Sequence, residues 1–238
     1  MEWLQQWISD PKLLQQLQII QSEYLKATWE TVYALTLQTL FAYVIGLPLG
    51  VLLVIGEKDG IRPVPGIFLR VANVLVNLLR SVPFLILMII ALPLSKLIVG
   101  TKIGTAATIP PMVIAAFPLV ARMVESALRE VDRGVIEAAQ SMGASTWQIV
   151  TKVMLPEAKP GLISGGAITM TTILGYGAMA GIIGGGGLGK IAINYGYYNF
   201  KTVVMWAAVI GLIVLVQLIQ TAGTKLSAAG DKRLRNRY

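Results

Sequence analysis

Long apolar runs dominate the chain and are separated by shorter polar segments. Four of these runs contain no charged residue, at 31–56, 103–121, 161–189 and 202–224. A helix rises about 1.5 Å per residue, so about 20 residues cross the roughly 30 Å hydrocarbon core of a bilayer. The runs also lack the polar face that a helix of a soluble bundle presents to water. Each run is therefore predicted to be a transmembrane helix.

A fifth apolar segment, 71–94, contains one charge, Arg80. We place its membrane core after Ser81, with Arg80 near one interface, where a long basic side chain can extend to the lipid headgroups. A charge within a span is also a candidate functional residue. Together the five segments predict an all-α, polytopic membrane protein with about five transmembrane helices.

The N-terminal segment, residues 1–28, has a different pattern. Asp10 and Pro11 are typical of an N-cap followed by the first helical residue. Apolar residues then recur at helical spacing on one face, at Leu13, Leu17, Ile20 and Tyr24. This pattern favours an amphipathic helix that lies in the membrane interface and does not cross the bilayer. A partly ordered tail without a function of its own is the alternative.

The distribution of Lys and Arg predicts the orientation. Five spans place the termini on opposite sides, and the loops 57–70 and 122–160 share a side with the tail 225–238. These three segments hold more than twice as many Lys and Arg residues as the opposite side. The positive-inside rule therefore predicts an N-out, C-in topology. The predicted organisation is an extracytoplasmic segment over 1–28, a transmembrane domain over 29–224 and a basic cytoplasmic tail.

The composition excludes several classes of function. Charged residues make up 13% of the chain against 55% hydrophobic residues, and the mean hydropathy is +0.69. The chain has no Cys and no His, which removes thiolate nucleophiles and the commonest general base and metal ligand. We therefore expect no enzymatic activity, no cofactor and no metal. The net charge of +8 reflects topology, and the tail stretch KRLRNR is expected to contact anionic lipid, with no nucleic acid as a partner.

The longest polar segment lies between the third and fourth predicted spans, at about 129–157, and contains EAAQSMGASTWQIVTKVMLP. Asp132 is predicted to cap a first helix, and Gly143 to end it in a left-handed conformation. The first helix carries a narrow apolar stripe formed by Val131, Val135, Ala138 and Met142. This stripe either docks into a groove of another protein or packs on the chain's own membrane domain, and periodicity leaves both open.

A second helix is predicted after the glycine. Ser145 and Gln148 have the spacing of a capping box, and Pro156 is predicted to end the helix. With EAA at 137–139, Gly143, and VMLP at 153–156, the segment resembles the EAA loop of ABC-importer permeases, EAA-x₃-G-x₉-I-x-L-P. The one departure is a Val in place of the Ile.

This resemblance implies a role in coupling. In the ABC-importer permeases the loop is a coupling helix that docks into a groove on a separate ATP-hydrolysing subunit. The carboxylate of the motif would lie at the contact, the two alanines would permit close approach, and the glycine would set the bend. The residues assigned to coupling are Glu137, Ala138, Ala139, Gly143, Leu155 and Pro156.

Three further stretches narrow the resemblance to the methionine-importer (MetI-like) permeases: RSVPFLIL at 80–87, ARMVESAL at 121–128 and GYGAMAGIIGGGGLGKIAINYGY at 175–197. The similarity extends from about Trp29 to about Gly223 and does not cover the start of the chain. It implies the ABC type I importer permease fold, the bacterial cytoplasmic membrane and a homodimeric pathway for methionine. The partners implied are a second copy of the chain, two copies of a cytoplasmic ABC ATPase subunit, an extracytoplasmic methionine-binding receptor and membrane lipid.

The fourth predicted span is the candidate for lining the pathway. The resemblance places Met179 at the pore constriction, and Tyr176 and Met170 on the same helix are further candidates. A thioether is flexible and polarisable, so it could yield to another thioether passing through. Simple packing in an apolar protein is the alternative for Met179. Close approach of helices is predicted at two Gly-x₃-Gly pairs, Gly161–Gly165 and Gly177–Gly181.

The stretch GGGGLGK at 184–190 satisfies the Gly and Lys positions of the phosphate-binding loop G-x-x-x-x-G-K-[ST]. Ile191 stands where that loop needs a hydroxyl for magnesium, and the stretch follows a predicted membrane helix instead of a strand. We therefore reject nucleotide binding at this stretch. Residues 184–189 are predicted to be a flexible end of the fourth helix on the outer face, near the receptor.

Two other functions compete with methionine import. A permease for another small amino acid would carry the same EAA loop. An ion-driven secondary transporter would need intramembrane carboxylates in pairs or relays, and the four uninterrupted apolar runs contain no Asp or Glu.

Overall fold

The structure is a computed structural model that describes residues 11–230. Within that range every regular element is helical, which confirms the all-α prediction. The α-helices are α1 Pro11–Ile55, α2 Gly66–Ser81, α3 Phe84–Val99, α4 Ile109–Arg129, α5 Arg133–Ser141, α6 Thr146–Gln148, α7 Leu155–Glu157, α8 Lys159–Ala180, α9 Gly187–Ile191 and α10 Thr202–Gly230. Between them lie the 3₁₀ turns Ala106–Thr108 and Gly181–Ile183 and the π-helical segments Ile149–Met154 and Ala192–Tyr198.

Four segments are long and apolar enough to cross a membrane: α1, α4 with the turn before it, α8 with the turn after it, and α10. Helices α2 and α3 give a fifth candidate when they are counted as one broken span. The break falls at Val82, whose backbone is extended, as expected for the residue before a proline. Arg80 is exposed in the last turn of α2, and α3 begins after Ser81 at Phe84. The predicted number of about five spans is confirmed.

Helix α1 is one uninterrupted helix of 45 residues. Within the described residues, the amphipathic segment predicted over 1–28 is therefore not a separate helix, because α1 continues from it into the first apolar run without a break. The reason is local, since residues 12–45 contain neither Gly nor Pro. The early turns of α1 also have protein partners: the Tyr24 hydroxyl donates to the carbonyl of Ala207 at 3.2 Å. The predicted cap, Asp10, lies outside the described residues.

The ends of α4 and α10 also differ from the predicted boundaries. Helix α4 does not end at Arg122 but continues to Arg129, because its last two turns pair their charges along one helical face. Helix α10 continues to Gly230, past the predicted start of the tail at residue 225. Residues 231–238 of that tail lie outside the described residues.

The chain divides into two compact units. The first unit comprises the chain up to residue 38, residues 84–112 and residues 172–218. The second unit comprises residues 39–83, residues 113–171 and the chain from residue 219 onward.

The first unit has an apolar core between the early part of α1, α9 and α10. Its buried members are Ala27, Leu188, Ile191, Val204 and Ala208. Burying such side chains contributes about 25 cal/mol per Å² of apolar surface. The core therefore packs Leu188 and Ile191, which follow the GGGG stretch, against two long helices. Leu188 belongs to the range 184–189 that was predicted to be flexible.

The second unit is held by close helix approaches at glycines. A Cβ added to Gly161 would lie 3.1 Å from the Cβ of Ala127, and one added to Gly165 would lie 3.1 Å from the Cβ of Met123. Helices α8 and α4 thus meet where the first Gly-x₃-Gly pair predicts close contact. The second pair behaves differently, because Gly177 has open space where a Cβ would lie.

Candidate functional site

The loop with the EAA motif begins with a capped helix. The side chain of Asp132 accepts a hydrogen bond from the backbone N–H of Gly134 at 2.7 Å, and α5 follows. This bond satisfies one of the N–H groups that the first turn of a helix leaves without a partner. The predicted cap of the first helix is confirmed.

Gly143 ends this helix in the left-handed region, with φ at +77°. The backbone N–H of Gly143 donates to the carbonyl of Gln140, and that of Ala144 donates to the carbonyl of Ala139. A Cβ on Gly143 would meet open space, so the positive φ, and not crowding, favours glycine here. The predicted stop is confirmed.

The second helix starts with the predicted capping box. The backbone N–H of Ser145 donates to the side chain of Gln148 at 2.8 Å, and the serine hydroxyl accepts from the Gln148 N–H. Pro156 does not end this helix, since it lies inside α7 and helical backbone continues to Glu157. Pro156 lies in the first turn of α7, directly after the π-helical segment Ile149–Met154. Proline is tolerated there, because the first N–H groups of a helix have no acceptor within it.

The apolar stripe of α5 splits into two faces. Val131 and Ala139 are buried, and Ala139 has 5% of its surface exposed. Val135, Ala138 and Met142 face outward, and Met142 is 81% exposed. The helix therefore packs on its own unit with one side and leaves an apolar side without a partner among residues 11–230.

A cavity of about 240 Å³ lies beside α5 within the second unit. Its lining carries charges of both signs, from Glu57, Arg129, Arg133 and Glu137. Arg129 donates to both carboxylate oxygens of Glu57, and this lowers the pKa of the Glu57 carboxyl. Glu137, the glutamate of the EAA motif, is exposed at the edge of this charged pocket and forms no ion pair with residues 11–230.

A polar network that sequence reasoning missed joins α2 to α4. The Arg122 guanidinium donates to the side-chain oxygens of Asn73 at 2.8 Å and Asn77 at 2.9 Å, and it pairs with Glu125. Glu125 in turn accepts from Arg129. The available signal was the placement of three charges at 122, 125 and 129 on one face of a helix.

The candidate pathway residues all lie on α8. Met179 is 47% exposed, and Tyr176 stacks face to face on Phe84 with 4.2 Å between ring centroids. Tyr176 and Met179 are three residues apart and share a face. Met170 is half-buried and lies about two and a half turns before Met179, so it belongs to a different face of the helix.

The GGGGLGK stretch forms a tight turn, so the prediction of a flexible end is wrong. Gly184 adopts φ of +86°, and α9 starts at Gly187. Leu188 is fully buried, and a Cβ on Gly189 would lie 2.5 Å from the Cα of Ala178. The glycines therefore allow backbone to pack on backbone. The turn follows a helix and not a strand, in agreement with the rejection of nucleotide binding.

The model of the family described as "Binding-protein-dependent transport system inner membrane component" matches residues 46–228. The chain belongs to this family. It is therefore a multi-pass inner membrane protein and the permease part of an ABC importer. The matched range contains the EAA loop, the polar network and α8.

Individual relatives narrow the family to its MetI-like group. The chain is 48% identical to the probable D-methionine transport system permease protein MetI of Vibrio cholerae, over 88% of this chain and 92% of that one. It is 48% identical to the methionine import system permease protein MetP of Bacillus subtilis, over 66% of this chain and 71% of that one.

A solved structure shares the fold of this permease. The structure described as an inward-facing conformation of the MetNI methionine ABC transporter superposes with a TM-score of 0.85 at 43% identity. The match covers 87% of this chain and 96% of that one. The ABC importer permease fold is therefore confirmed.

Proposed function

We propose that this permease forms a homodimeric pathway for methionine and draws its energy from a separate ATPase subunit through the EAA loop. The observation that carries the proposal is the outward apolar face of α5, formed by Val135, Ala138 and Met142 next to Glu137. Exposed apolar surface beside a charge is typical of a protein–protein contact. The resemblance of the EAA motif to that of ABC-importer permeases indicates that the partner is a groove on the ATPase subunit.

Each residue of the motif has a role in this proposal. Glu137 pairs with a basic side chain of the ATPase, and its exposed position leaves it accessible. Ala138 allows close approach from outside, whereas Ala139 allows α5 to lie close to its own unit. Gly143 sets the bend through its positive φ. Leu155 and Pro156 continue the second helix toward α8.

The two ATPase copies drive alternating access. ATP binds more tightly to one conformation of the complex than to the other, and this difference in affinity shifts the equilibrium between the two. The movement passes from the docked α5 into the helices of the permease. The proposed topology places the EAA loop in the cytoplasm and the N-terminus outside, as the distribution of Lys and Arg indicates.

Met179 and Tyr176 are the proposed pathway residues, and an extracytoplasmic receptor delivers the substrate to them. Their support is the exposure of Met179 and its shared face with Tyr176 on α8. Met170 lies on a different face and is proposed to pack against a neighbouring helix. Methionine as the substrate is supported by the names of the relatives from Vibrio cholerae and Bacillus subtilis and by the MetNI structure.

The test is uptake by vesicles that contain the permease, its ATPase and its receptor. We expect ATP-dependent accumulation of labelled methionine, and competition between the L- and D-forms will show which is preferred. Accumulation of another small amino acid without accumulation of methionine would show that methionine is not the substrate. Uptake driven by an ion gradient without ATP would refute the ATP-driven mechanism.

A further inference from the structure

Glu30 of α1 holds two segments of the first unit together. One carboxylate oxygen, Oε2, accepts hydrogen bonds from the Thr105 hydroxyl at 2.9 Å and from the backbone N–H of Gly187 at 3.0 Å. Gly187 is the first residue of α9, and it lies 157 residues from Glu30 in the chain. A single carboxylate therefore ties the GGGG turn to two other parts of the unit.

Thr31 provides the second contact. Its hydroxyl accepts a hydrogen bond from the backbone N–H of Leu188 at 2.9 Å and donates to the carbonyl of Ala27 at 2.9 Å. The first N–H groups of a helix need acceptors from outside the helix. The residue at the N-cap of α9 is Gly186, which has no side chain to supply one. Helix α1 supplies both acceptors instead.

The glycines of the turn fit these acceptors closely. A Cβ on Gly186 would overlap the Thr105 hydroxyl and lie 2.6 Å from Glu30 Oε2. A Cβ on Gly187 would lie 2.5 Å from the Thr31 hydroxyl, and its φ of +76° also favours glycine. The turn and the two α1 side chains therefore form one fitted contact.

The turn also holds the backbone on both sides of Met179. The N–H of Gly185 donates to the carbonyl of Ala180 at 2.9 Å. The backbone of Gly189 packs against Ala178, and Gly181 packs against Gly189. Met179 itself is left exposed between these two held neighbours.

We propose that Glu30 and Thr31 form a clasp that keeps Met179 at the constriction closed, and that the clasp opens when substrate passes. This inference rests on the proposed function, in which Met179 lines the pathway. Glu30 and Thr31 are positioning residues, because they act on Met179 through the turn and not by contact with substrate.

The surroundings of the clasp offer a replacement for the protein donors. A cavity of about 30 Å³ lies beside it, lined by polar groups that include Glu30, Gln38 and Thr108. Gln38 donates to the Thr108 hydroxyl at 3.0 Å on its wall. A polar cavity of this size has room for about one water molecule, which can replace a protein donor when the turn moves.

The absence of Cys from the chain makes a direct test possible. Met179→Cys would be the one thiol of the permease, and its rate of reaction with a small membrane-impermeant thiol reagent reports access to the constriction. The assay uses vesicles with the whole complex and reagent on the receptor side. Glu30→Ala should raise the labelling rate about tenfold, since it removes an acceptor shared by two donors.

Three variants separate the clasp from general damage to the fold. Glu30→Gln keeps an oxygen that can accept both bonds and should label at the parent rate. Thr31→Val removes one acceptor at nearly constant shape and should raise the rate by a smaller factor. Glu23→Ala is the matched control, because Glu23 lies on the same helix and accepts from the Tyr195 hydroxyl outside the clasp.

The outcomes are distinct. Unchanged labelling in both Glu30→Ala and Thr31→Val, or an equal rise in Glu23→Ala, would overturn the clasp. If Met179→Cys reacts in no state, with or without ATP, the pathway role of Met179 fails instead. In chains that keep Met179, the number of methionine molecules transported per ATP hydrolysed then tests the clasp. A severalfold loss in Glu30→Ala with recovery in Glu30→Gln supports the clasp, and an unchanged ratio overturns it.

Discussion

Arg129 donates a hydrogen bond to each carboxylate oxygen of Glu57, at 2.6 and 3.1 Å. This pair joins the end of α4 to the residues just after α1, and both partners line the cavity beside the EAA helix. The pair therefore lies where α5 faces the ends of α1 and α4.

The pair should give the permease a stability that depends on pH. The pKa of the Glu57 carboxyl is lowered because Arg129 donates hydrogen bonds to it. A carboxyl with a lowered folded-state pKa stabilises the fold above its unfolded pKa, and this stabilisation is lost as the pH falls through the folded pKa. Glu57→Gln should be less stable than the parent at neutral pH by less than about 1 kcal/mol, because both side chains are nearly half exposed.

Thermal unfolding in detergent between neutral and acidic pH measures this difference, which should shrink to nothing in acid. Glu130→Gln, at an exposed site one residue after Arg129, is the control and should be as stable as the parent at neutral pH. A Glu57→Gln variant as stable as the parent at neutral pH would show that the pair contributes nothing.

Gly143→Ala should uncouple ATP hydrolysis from transport. The substitution forces a Cβ into a positive φ, which costs about 1 kcal/mol and shifts the bend between α5 and α6. ATPase activity without receptor and substrate should rise relative to uptake. Gly66→Ala is the matched control, since Gly66 also has open space around a Cβ but has no positive φ. Equal coupling in the two variants would contradict the role of Gly143.

Glu137→Ala should weaken binding of the ATPase subunit without changing the stability of the permease. The side chain is exposed, so its removal leaves no buried group without a partner. Co-purification of the two subunits at rising salt concentrations measures the effect. Gln140→Ala, on the same exposed helix, is the control. Retention of full ATPase binding and full transport by Glu137→Ala would refute the contact.

Arg122→Lys should destabilise the second unit although the charge is kept. The Arg122 guanidinium bonds to two asparagines and one glutamate at once, and a lysine ammonium cannot reproduce that planar geometry. We expect a loss of about 1–3 kcal/mol, because several hydrogen bonds to a charged group in a partly buried site are lost. Asn73→Ala combined with Arg122→Lys should cost less than the sum of the two changes, because both remove the same bond. A fully additive double variant would argue against the network.

Gly165→Leu should lower the unfolding temperature, because Met123 already lies 3.1 Å from where a Cβ would stand. Overpacking of this kind costs about 1–3 kcal/mol. Gly175→Leu on the same helix has open space and serves as the control for the stability measurement. Similar unfolding temperatures for both variants would show that α4 and α8 can move apart to accommodate the leucine.

The features of the EAA loop were predictable because they are local. Asp132, Gly143 and the pair Ser145 and Gln148 act on backbone groups within three residues of themselves, so spacing alone specifies them. The one error there, at Pro156, arose because a π-helical segment precedes this proline and places it in the first turn of α7, and no local pattern predicts such a segment.

The number of spans, the all-α class and the capped EAA loop were determined by the sequence itself, since hydropathy, helix length and capping depend on neighbouring residues. The tertiary structure alone decided the partners of Glu30, Arg122 and the GGGG turn. Glycines look flexible in a sequence, yet here they bring backbone against backbone at Ala178 and Gly189. Glu30 meets Gly187 across 157 residues, and which distant segments meet depends on how the long helices pack.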